Sequence, residues 1–363
     1  MTEPASARPV PARRSRHVHL PKMLLVLVTV LSIGACSAAS AVPTLAPATP
    51  VPVSSASAPT APTATPMATP IPPFPVSLTD DEGTAVTIPA EPARIVSLTP
   101  AVTETLFALG VGNRIVGKAE DISLYPPDAG AVPDVEKFDG TAIVVDSEKI
   151  LAAKPDLVIA GGNFGTPADA IQKLRSLGLK VLVVYAPTVD AVFADIDLLG
   201  RAVGRAPEAT AMTTSMRATF ASIAASVAGS SRPRVYYELD ASTGVFYGPS
   251  DHSFLAQMIG LAGAEAITTG SADKYDIAAE RLLAANPEVI LLADAAFGTK
   301  ASDVVKRPGW STMTAVKNGD IRPIDDTTIT RPGPRLIYGL WLLASTIHPD
   351  VALAAPSPIP AVP

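Results

Sequence analysis

The sequence EKILAAKPDLVI occupies residues 148–159, and the related sequence ERLLAANPEVIL occupies residues 280–291. In each copy, a run that favours a helix meets a proline and an apolar run follows at once. Proline cannot continue a helix, and the residue before it resists helical geometry as well. Each copy therefore predicts a helix that ends near Pro155 or Pro287 and leads directly into a buried strand. The repeat indicates two similar lobes.

Five apolar runs rich in β-branched residues extend this pattern along the chain. They lie at 94–98, 156–160, 180–184, 234–237 and 288–292. Because these runs are apolar throughout, they predict parallel strands that are covered on both faces. Helical segments at 101–109, 147–153 and 167–177 alternate with the runs in the first half. The predicted fold class is α/β, with two lobes that each have a central parallel sheet flanked by helices.

One long helix is predicted between the two copies of the repeat. Pro207 suits the first turn of a helix, and Gly229 suits its end. The apolar residues that share one face of it are Met212, Met216, Phe220, Ile223 and Val227. We therefore expect a single long α-helix to join an N-terminal lobe at 76–186 to a C-terminal lobe at 231–351. The helices at 187–230 include this connector, and residues 352–363 are expected to form a disordered tail.

The N-terminal residues have the organisation of a secretory signal. A basic stretch is followed by an apolar run at 23–33, which is too short to span a bilayer, and then by small residues. Cys36, the only cysteine of the chain, comes directly after Ile33-Gly34-Ala35, which matches a bacterial lipobox. Residues 1–35 are therefore predicted to be a signal peptide. Cys36 is predicted to become the lipidated N-terminus of a protein anchored outside the cytoplasmic membrane.

Residues 37–75 contain no charged residue and are mostly Ala, Pro, Ser and Thr. Such a composition cannot bury enough apolar surface to fold, and its prolines favour extended conformations. Residues 36–75 are therefore predicted to be a lipidated tether between the membrane and the first lobe.

Charge and composition exclude several classes of function. The chain has 28 Lys+Arg and 34 Asp+Glu, and residues 1–35 hold five and one of these, which leaves a net charge of −10 for the rest. This charge disfavours nucleic-acid binding. Only His252 and His348 remain after residue 35, so no bare transition-metal site is expected. The sequence has neither a nucleophile elbow nor a phosphate loop, and we do not expect an enzyme.

Several stretches of the chain together carry a resemblance to a known family. They are 94–100 with 103–110, 148–160, 307–310 and 316–319. Together they resemble the class III substrate-binding proteins of ABC importers for iron-siderophores, haem and cobalamin, over roughly residues 86–350. The resemblance implies a monomer with a ligand cleft between two lobes, a membrane permease and a separate ATPase as partners, and no cofactor of its own.

In that family, one acidic residue on each lobe pairs with basic residues of the permease. The matching positions are Glu148 and Glu280, the first residues of the two repeat copies quoted above. Each glutamate is also predicted in the first turn of a helix, where an acid interacts favourably with the helix dipole. Both roles are compatible.

Ligands of open parallel sheets bind beyond the carboxyl ends of the strands, so the loops after the strands supply the candidate site residues. These candidates are Thr99, Pro100, Phe138, Asn163, Phe164, Glu238, Phe246, Tyr247, Phe297 and Arg331. By the resemblance, Arg331 matches an arginine that faces the cleft. Core packing is the commoner fate of each aromatic residue among them.

The identity of the ligand stays open at this point. A ferric siderophore and a corrinoid both suit aromatic residues and one arginine, although Ile122 stands where the resembling cobalamin binders have an aromatic residue. Haem is an alternative, because tyrosine and histidine can ligate its iron. The residues of that type are Tyr125, Tyr247, His252 and Tyr275. A surface adhesin or structural lipoprotein would use the same tether, but the paired glutamates favour an importer.

Overall fold

Two sheets of mainly parallel strands form the framework of the computed structural model, which describes residues 74–162 and 165–357. The strands are β1 (Val76–Thr79), β2 (Ala85–Ile88), β3 (Ile95–Ser97), β4 (Ile115–Ala119), β5 (Asp134–Phe138), β6 (Ile143–Val145), β7 (Leu157–Gly161), β8 (Val181–Val184), β9 (Arg234–Glu238), β10 (Phe246–Tyr247), β11 (Glu265–Ala266), β12 (Asp276–Ile277), β13 (Val289–Leu292) and β14 (Ile321–Pro323). The six-stranded sheet has the order β6-β5-β4-β3-β7-β8, and only its edge strand β6 is antiparallel. The four-stranded sheet has the order β11-β9-β13-β14 and is parallel throughout.

Helices flank both sheets. They are α1 (Pro100–Ala108), α2 (Ser147–Ala152), α3 (Ala168–Ser176), α4 (Val189–Ala202), α5 (Ala206–Val227), α6 (Phe254–Leu261), α7 (Ala279–Ala285), α8 (Ala301–Val304), α9 (Thr314–Asn318) and α10 (Leu336–Ile347). Helix α1 begins one residue before the predicted start, because the Thr99 hydroxyl accepts a hydrogen bond from the Val102 amide at 3.1 Å. Pro100 then suits the first turn. The predicted α/β class, with helices around parallel sheets, is confirmed.

The two repeat copies adopt the same local structure. Each forms a short helix and then an inner strand, α2 with β7 and α7 with β13. The residue before the proline is left-handed in both, with φ of 46° at Lys154 and at Asn286. An arginine at or directly before the start of the neighbouring strand caps each helix, since Arg94 donates to the Ala153 carbonyl and Arg234 to the Ala285 carbonyl. The similarity in sequence therefore extends to the backbone and to the capping contacts.

Helices α4 and α5 connect the last strand of the six-stranded sheet to the first strand of the four-stranded sheet. Helix α5 is 22 residues long, and all five apolar residues of its predicted face are buried. These side chains belong to a hydrophobic core that also contains residues from both sheets. The predicted amphipathic connector helix is thus present as α5. The lobe boundaries at 76–186 and 231–351 remain predictions.

Cys36 and the predicted signal peptide lie outside the described residues, as does the tether up to residue 73. Within 74–162 and 165–357, no helix combines the length and hydropathy that a bilayer crossing needs.

Candidate functional site

A cavity of about 940 Å³ lies where the carboxyl ends of strands from both sheets meet, and we call it the inter-sheet cavity. From the six-stranded sheet it is bordered by Thr99 after β3, Gly161 at the end of β7 and Tyr185 after β8. From the four-stranded sheet it is bordered by Ala293 after β13 and Asp325 after β14. This is the position at which open parallel sheets bind ligands.

Four of the predicted site residues line the inter-sheet cavity: Thr99, Pro100, Phe297 and Arg331. The glycines after β7 allow the backbone to run close beneath it. A Cβ atom on Gly161 would stand 2.5 Å from the Thr99 methyl carbon, which is too close for any larger residue. The loop after β3 and the glycine-rich loop after β7 thus border the same cavity in the structure.

Two large apolar side chains in this cavity are almost fully exposed to solvent. Phe297, beyond β13, is 81% exposed, and Ile122, in the loop after β4, is 87% exposed. A cavity of this size that leaves apolar side chains uncovered has the properties of a small-molecule site. Both residues are therefore suited to cover an apolar face of a ligand.

Four other predicted site residues do not line the inter-sheet cavity. Glu238 is fully buried below the end of β9, where its two carboxylate oxygens accept hydrogen bonds from Arg307 at 2.5 and 2.7 Å. The Arg307 guanidinium also lies over the rings of Phe246, at 5.1 Å, and Trp310, at 4.5 Å. Glu238 and Phe246 are thus held in a packed cluster inside the second half, because the Arg307 guanidinium that compensates the Glu238 charge lies there.

The other two predicted site residues that do not line the cavity are Tyr247 and Phe138. Tyr247 lies on the short strand β10, where its backbone pairs with Asp240, and Phe138 is 62% exposed at the end of β5. Neither borders the cavity. Asn163 and Phe164 lie outside the described residues.

An ion pair that sequence reasoning missed closes one side of the cavity. The Arg331 guanidinium donates hydrogen bonds to both carboxylate oxygens of Asp121, at 2.8 and 2.9 Å. The Asp121 carboxylate also accepts hydrogen bonds from the amide and the hydroxyl of Ser123. Burial alone would raise the pKa of Asp121, but these hydrogen bonds outweigh it and lower the pKa to about 2. Asp121 lies two residues beyond β4, so the rule of searching loops after strands could have found it.

A second buried ion pair runs beside the first. The Glu104 carboxylate, on α1, accepts hydrogen bonds from the backbone amide and the side chain of Arg335, both at 2.9 Å. The Arg335 guanidinium also lies 3.8 Å from the centre of the Tyr125 ring. These contacts attach the segment before α10 to the first half of the chain.

A pair of carboxyl groups stands beside the cavity. Asp195, on α4, borders the cavity, and burial raises its pKa to about 8, with the neighbouring Asp81 adding to the rise. The Asp81 carboxylate accepts a hydrogen bond from the Tyr185 amide at 2.5 Å. Asp195 therefore holds its proton at neutral pH, in a hydrogen bond with Asp81.

Only some of the residues considered as axial ligands to haem iron lie at the cavity. His252 and Tyr275 border the inter-sheet cavity, whereas Tyr125 and Tyr247 do not. In the part of the chain that the structure describes, no three His, Cys, Asp or Glu residues come together as a metal-binding group.

Glu148 and Glu280 occupy equivalent positions outside the cavity. Each is the second residue of its helix, α2 or α7, and each is exposed. Their carboxylates are therefore available to a partner.

Comparison with known proteins identifies the class to which this fold and cavity belong. Residues 95–328 match the periplasmic binding protein family, and the chain belongs to that family. The Bacillus subtilis protein YvrC, named an uncharacterised ABC transporter substrate-binding lipoprotein, is 33% identical over 76% of this chain and 87% of its own length. A cobalamin-binding protein of Halobacterium salinarum is 30% identical over 76% of this chain and 74% of its own length.

A solved structure agrees with these relatives. The crystal structure of an ABC-type Fe3+-hydroxamate transport system from Saccharomonospora viridis is 25% identical, with a TM-score of 0.62 over 76% of this chain and 99% of that one. The resemblance to extracytoplasmic substrate-binding proteins of ABC importers is thereby confirmed. The relatives are binding proteins, and this chain is a binding protein and not an enzyme.

Proposed function

We propose that this protein is a lipid-anchored receptor that captures a metal chelate in the inter-sheet cavity and delivers it to the permease of an ABC importer. The chelate is a ferric siderophore or a corrinoid. The observation that carries the proposal is the cavity itself. Its volume of about 940 Å³ is at the upper end of the range for small-molecule sites, which is about 300 to 1,000 Å³.

The lining of the cavity supports a bulky, partly apolar ligand. Ile122 and Phe297 offer apolar surface, and the glycines at 161 and 162 let the backbone approach the ligand closely. Relatives that are named for cobalamin binding and for Fe3+-hydroxamate transport support a chelate of that size. Haem is the second candidate, because His252 and Tyr275 border the cavity and are residue types that ligate its iron.

Delivery to a permease is proposed to use Glu148 and Glu280. Both are exposed in the first turn of their helices, and the two helices occupy equivalent places in the two halves of the chain. Complementary charges of this kind chiefly guide association and fix orientation. ATP would be hydrolysed by a separate subunit.

The test is retention of a coloured ligand. The purified full chain is mixed with cyanocobalamin, ferrichrome or haemin and passed through gel filtration, and the visible spectrum of the protein peak is recorded. Neither Trp310 nor Trp341 borders the cavity, so the ligand's own absorbance is a better signal than tryptophan fluorescence. Stoichiometric retention of one ligand class supports the proposal, and the absence of retention across the whole panel contradicts it.

A further inference from the structure

The charges around the inter-sheet cavity are unevenly distributed. Among the described residues that line it, four carry carboxyl groups and Arg331 carries the only guanidinium. The four are Asp195, Asp251, Asp325 and Asp326. No lysine stands among these described lining residues. His252 also lines the cavity and is exposed.

The Arg331 guanidinium is already engaged. Both of its terminal nitrogens donate to Asp121, and the two side chains are only 15% and 6% exposed. An anionic group of a ligand that bound these two nitrogens in the same bidentate geometry would have to displace Asp121. That exchange would leave a buried carboxylate without its counter-charge, which costs several kcal/mol. The Ser123 hydroxyl, at 2.8 Å, holds the Asp121 carboxylate further in place.

The carboxyl groups of the lining suit hydrogen bonds from amide N–H groups of a ligand and disfavour anionic groups. Asp251 accepts the Gly270 amide at 3.0 Å and Asp325 accepts the Thr327 amide at 3.0 Å, so both are positioned as hydrogen-bond acceptors. Burial raises the pKa of Asp195 to about 8, and this carboxyl shares a hydrogen bond with Asp81, so it is neutral at neutral pH. Amide N–H groups of a ligand can donate to such carboxylates, whereas a free carboxylate is repelled by them.

We propose that Asp121 sets the charge selectivity of the inter-sheet cavity by neutralising Arg331. The cavity then accepts neutral metal chelates whose polar groups are amides or hydroxamates, and it rejects chelates that carry free carboxylates. This inference rests on the proposed receptor function and specifies the chemical class of its ligand. It also makes Asp121 a specificity-determining residue that acts through Arg331 without contacting the ligand.

Matched ligand pairs test the inference on the unmodified full chain. Cyanocobalamin is compared with its monocarboxylic acid derivative, in which one amide is a carboxylate, and haemin dimethyl ester is compared with haemin. In each pair only charged substituents differ. In whichever pair binds, we expect the neutral member to have an affinity at least about tenfold higher than the anionic member. This is the scale of one charge-assisted contact. Equal affinity within a pair, or a preference for the anionic member, overturns the proposal and leaves the receptor function intact.

The substitution D121N tests the role of Asp121 itself. It removes one charge while keeping an oxygen that can accept from Arg331, and it frees Arg331 to pair with an anion. We expect the ratio of neutral to anionic affinity to fall by about tenfold in D121N. The control D128N makes the same change at an exposed aspartate in the same half of the chain and should keep the original ratio. An unchanged ratio in a folded D121N protein overturns the role of Asp121 in charge selectivity. If D121N does not fold, the ligand pairs on the unmodified chain still test the charge selectivity of the cavity. Failure of every ligand to bind contradicts the receptor function and, with it, this inference.

Discussion

Arg331 and Asp121 are 210 residues apart in the sequence, and the Arg331 guanidinium donates two parallel hydrogen bonds to the Asp121 carboxylate across one side of the cavity. Both side chains are largely buried, with 15% and 6% exposed. The contact therefore joins the loop after β4 to the segment before α10. It compensates the charge of Arg331 beside the cavity and, together with the Glu104–Arg335 pair, attaches that segment.

Removing Arg331 should destabilise the protein. In R331A the buried Asp121 carboxylate loses its counter-charge, and we expect the free energy of unfolding to fall by about 3 kcal/mol. Urea unfolding followed by circular dichroism measures this change. The double variant D121A/R331A should recover part of the loss, because no buried charge remains. K306A is the control, since it breaks an ion pair with Asp303 whose side chains are 74% and 54% exposed, and it should cost less than about 1 kcal/mol. A loss in R331A no larger than in K306A would contradict the prediction.

Phe297 should contribute to ligand affinity through its exposed ring. Covering a phenylalanine ring with a ligand is worth about 1.5 to 3 kcal/mol, so F297A should weaken binding of the retained ligand by at least tenfold. Phe138 provides a matched control, because it is 62% exposed but does not border the cavity. F138A should therefore bind as the unmodified chain does. Equal effects of the two substitutions in a titration would remove Phe297 from the proposed site.

Reversing the two docking charges should separate transport from binding. We expect E148K/E280K to lose ligand uptake in cells while the purified protein keeps its ligand affinity within about twofold, because both residues lie outside the cavity. The control D169K/E265K reverses two other exposed acids, one of them in the first turn of α3, and should support uptake. Normal uptake by the E148K/E280K variant would refute the docking role.

Cys36 should determine whether the chain stays with the membrane. Dual or triple acylation holds a protein firmly on a bilayer, whereas a chain without acyl groups has no such anchor. In C36S we expect the protein to move from the membrane fraction to the soluble fraction after cell fractionation. Labelling with a radioactive fatty acid should also disappear. Retention of the label in C36S would mean that another residue is modified.

Asp195 should give the stability of the protein a defined pH dependence. The folded chain keeps the Asp195 proton up to about pH 8, whereas an unfolded chain releases it near the ordinary pKa of about 3.9. Between these values the folded state binds more protons, so the free energy of unfolding falls as the pH rises, by at most about 1.4 kcal/mol per pH unit.

The substitution D195N removes this ionisation. Relative to the unmodified chain, D195N should gain stability as the pH rises from about 5 to about 8, and the difference should level off above that range. Urea unfolding at several pH values measures the difference, with D169N as a control for the same change at an exposed aspartate. A difference between D195N and the unmodified chain that does not vary with pH would show that Asp195 is not protonated in the folded state.

Local sequence patterns determined much of the framework. The helix, the proline and the buried strand of each repeat copy depend on neighbouring residues, and the structure has them within about two residues of the predicted positions. The apolar face of α5 was equally predictable, because its period alone shows which residues must be buried. The short hairpin of β1 and β2 and the antiparallel edge strand β6 escaped prediction, since each has only three or four residues.

The residues that meet at the cavity depended on distant partners. Glu238 and Asp121 are both acids near the carboxyl end of a strand, and nothing in their immediate sequence separates them. Glu238 is held within the half of the chain that contains the four-stranded sheet, because its counter-charge Arg307 lies there. Asp121 instead pairs with Arg331 beside the cavity. The sequence by itself determined the fold class, the repeat and the connector, because periodicity and proline act locally. Only the tertiary structure decided which charges pair and which apolar side chains stay uncovered, because both follow from the packing of segments that are up to 210 residues apart.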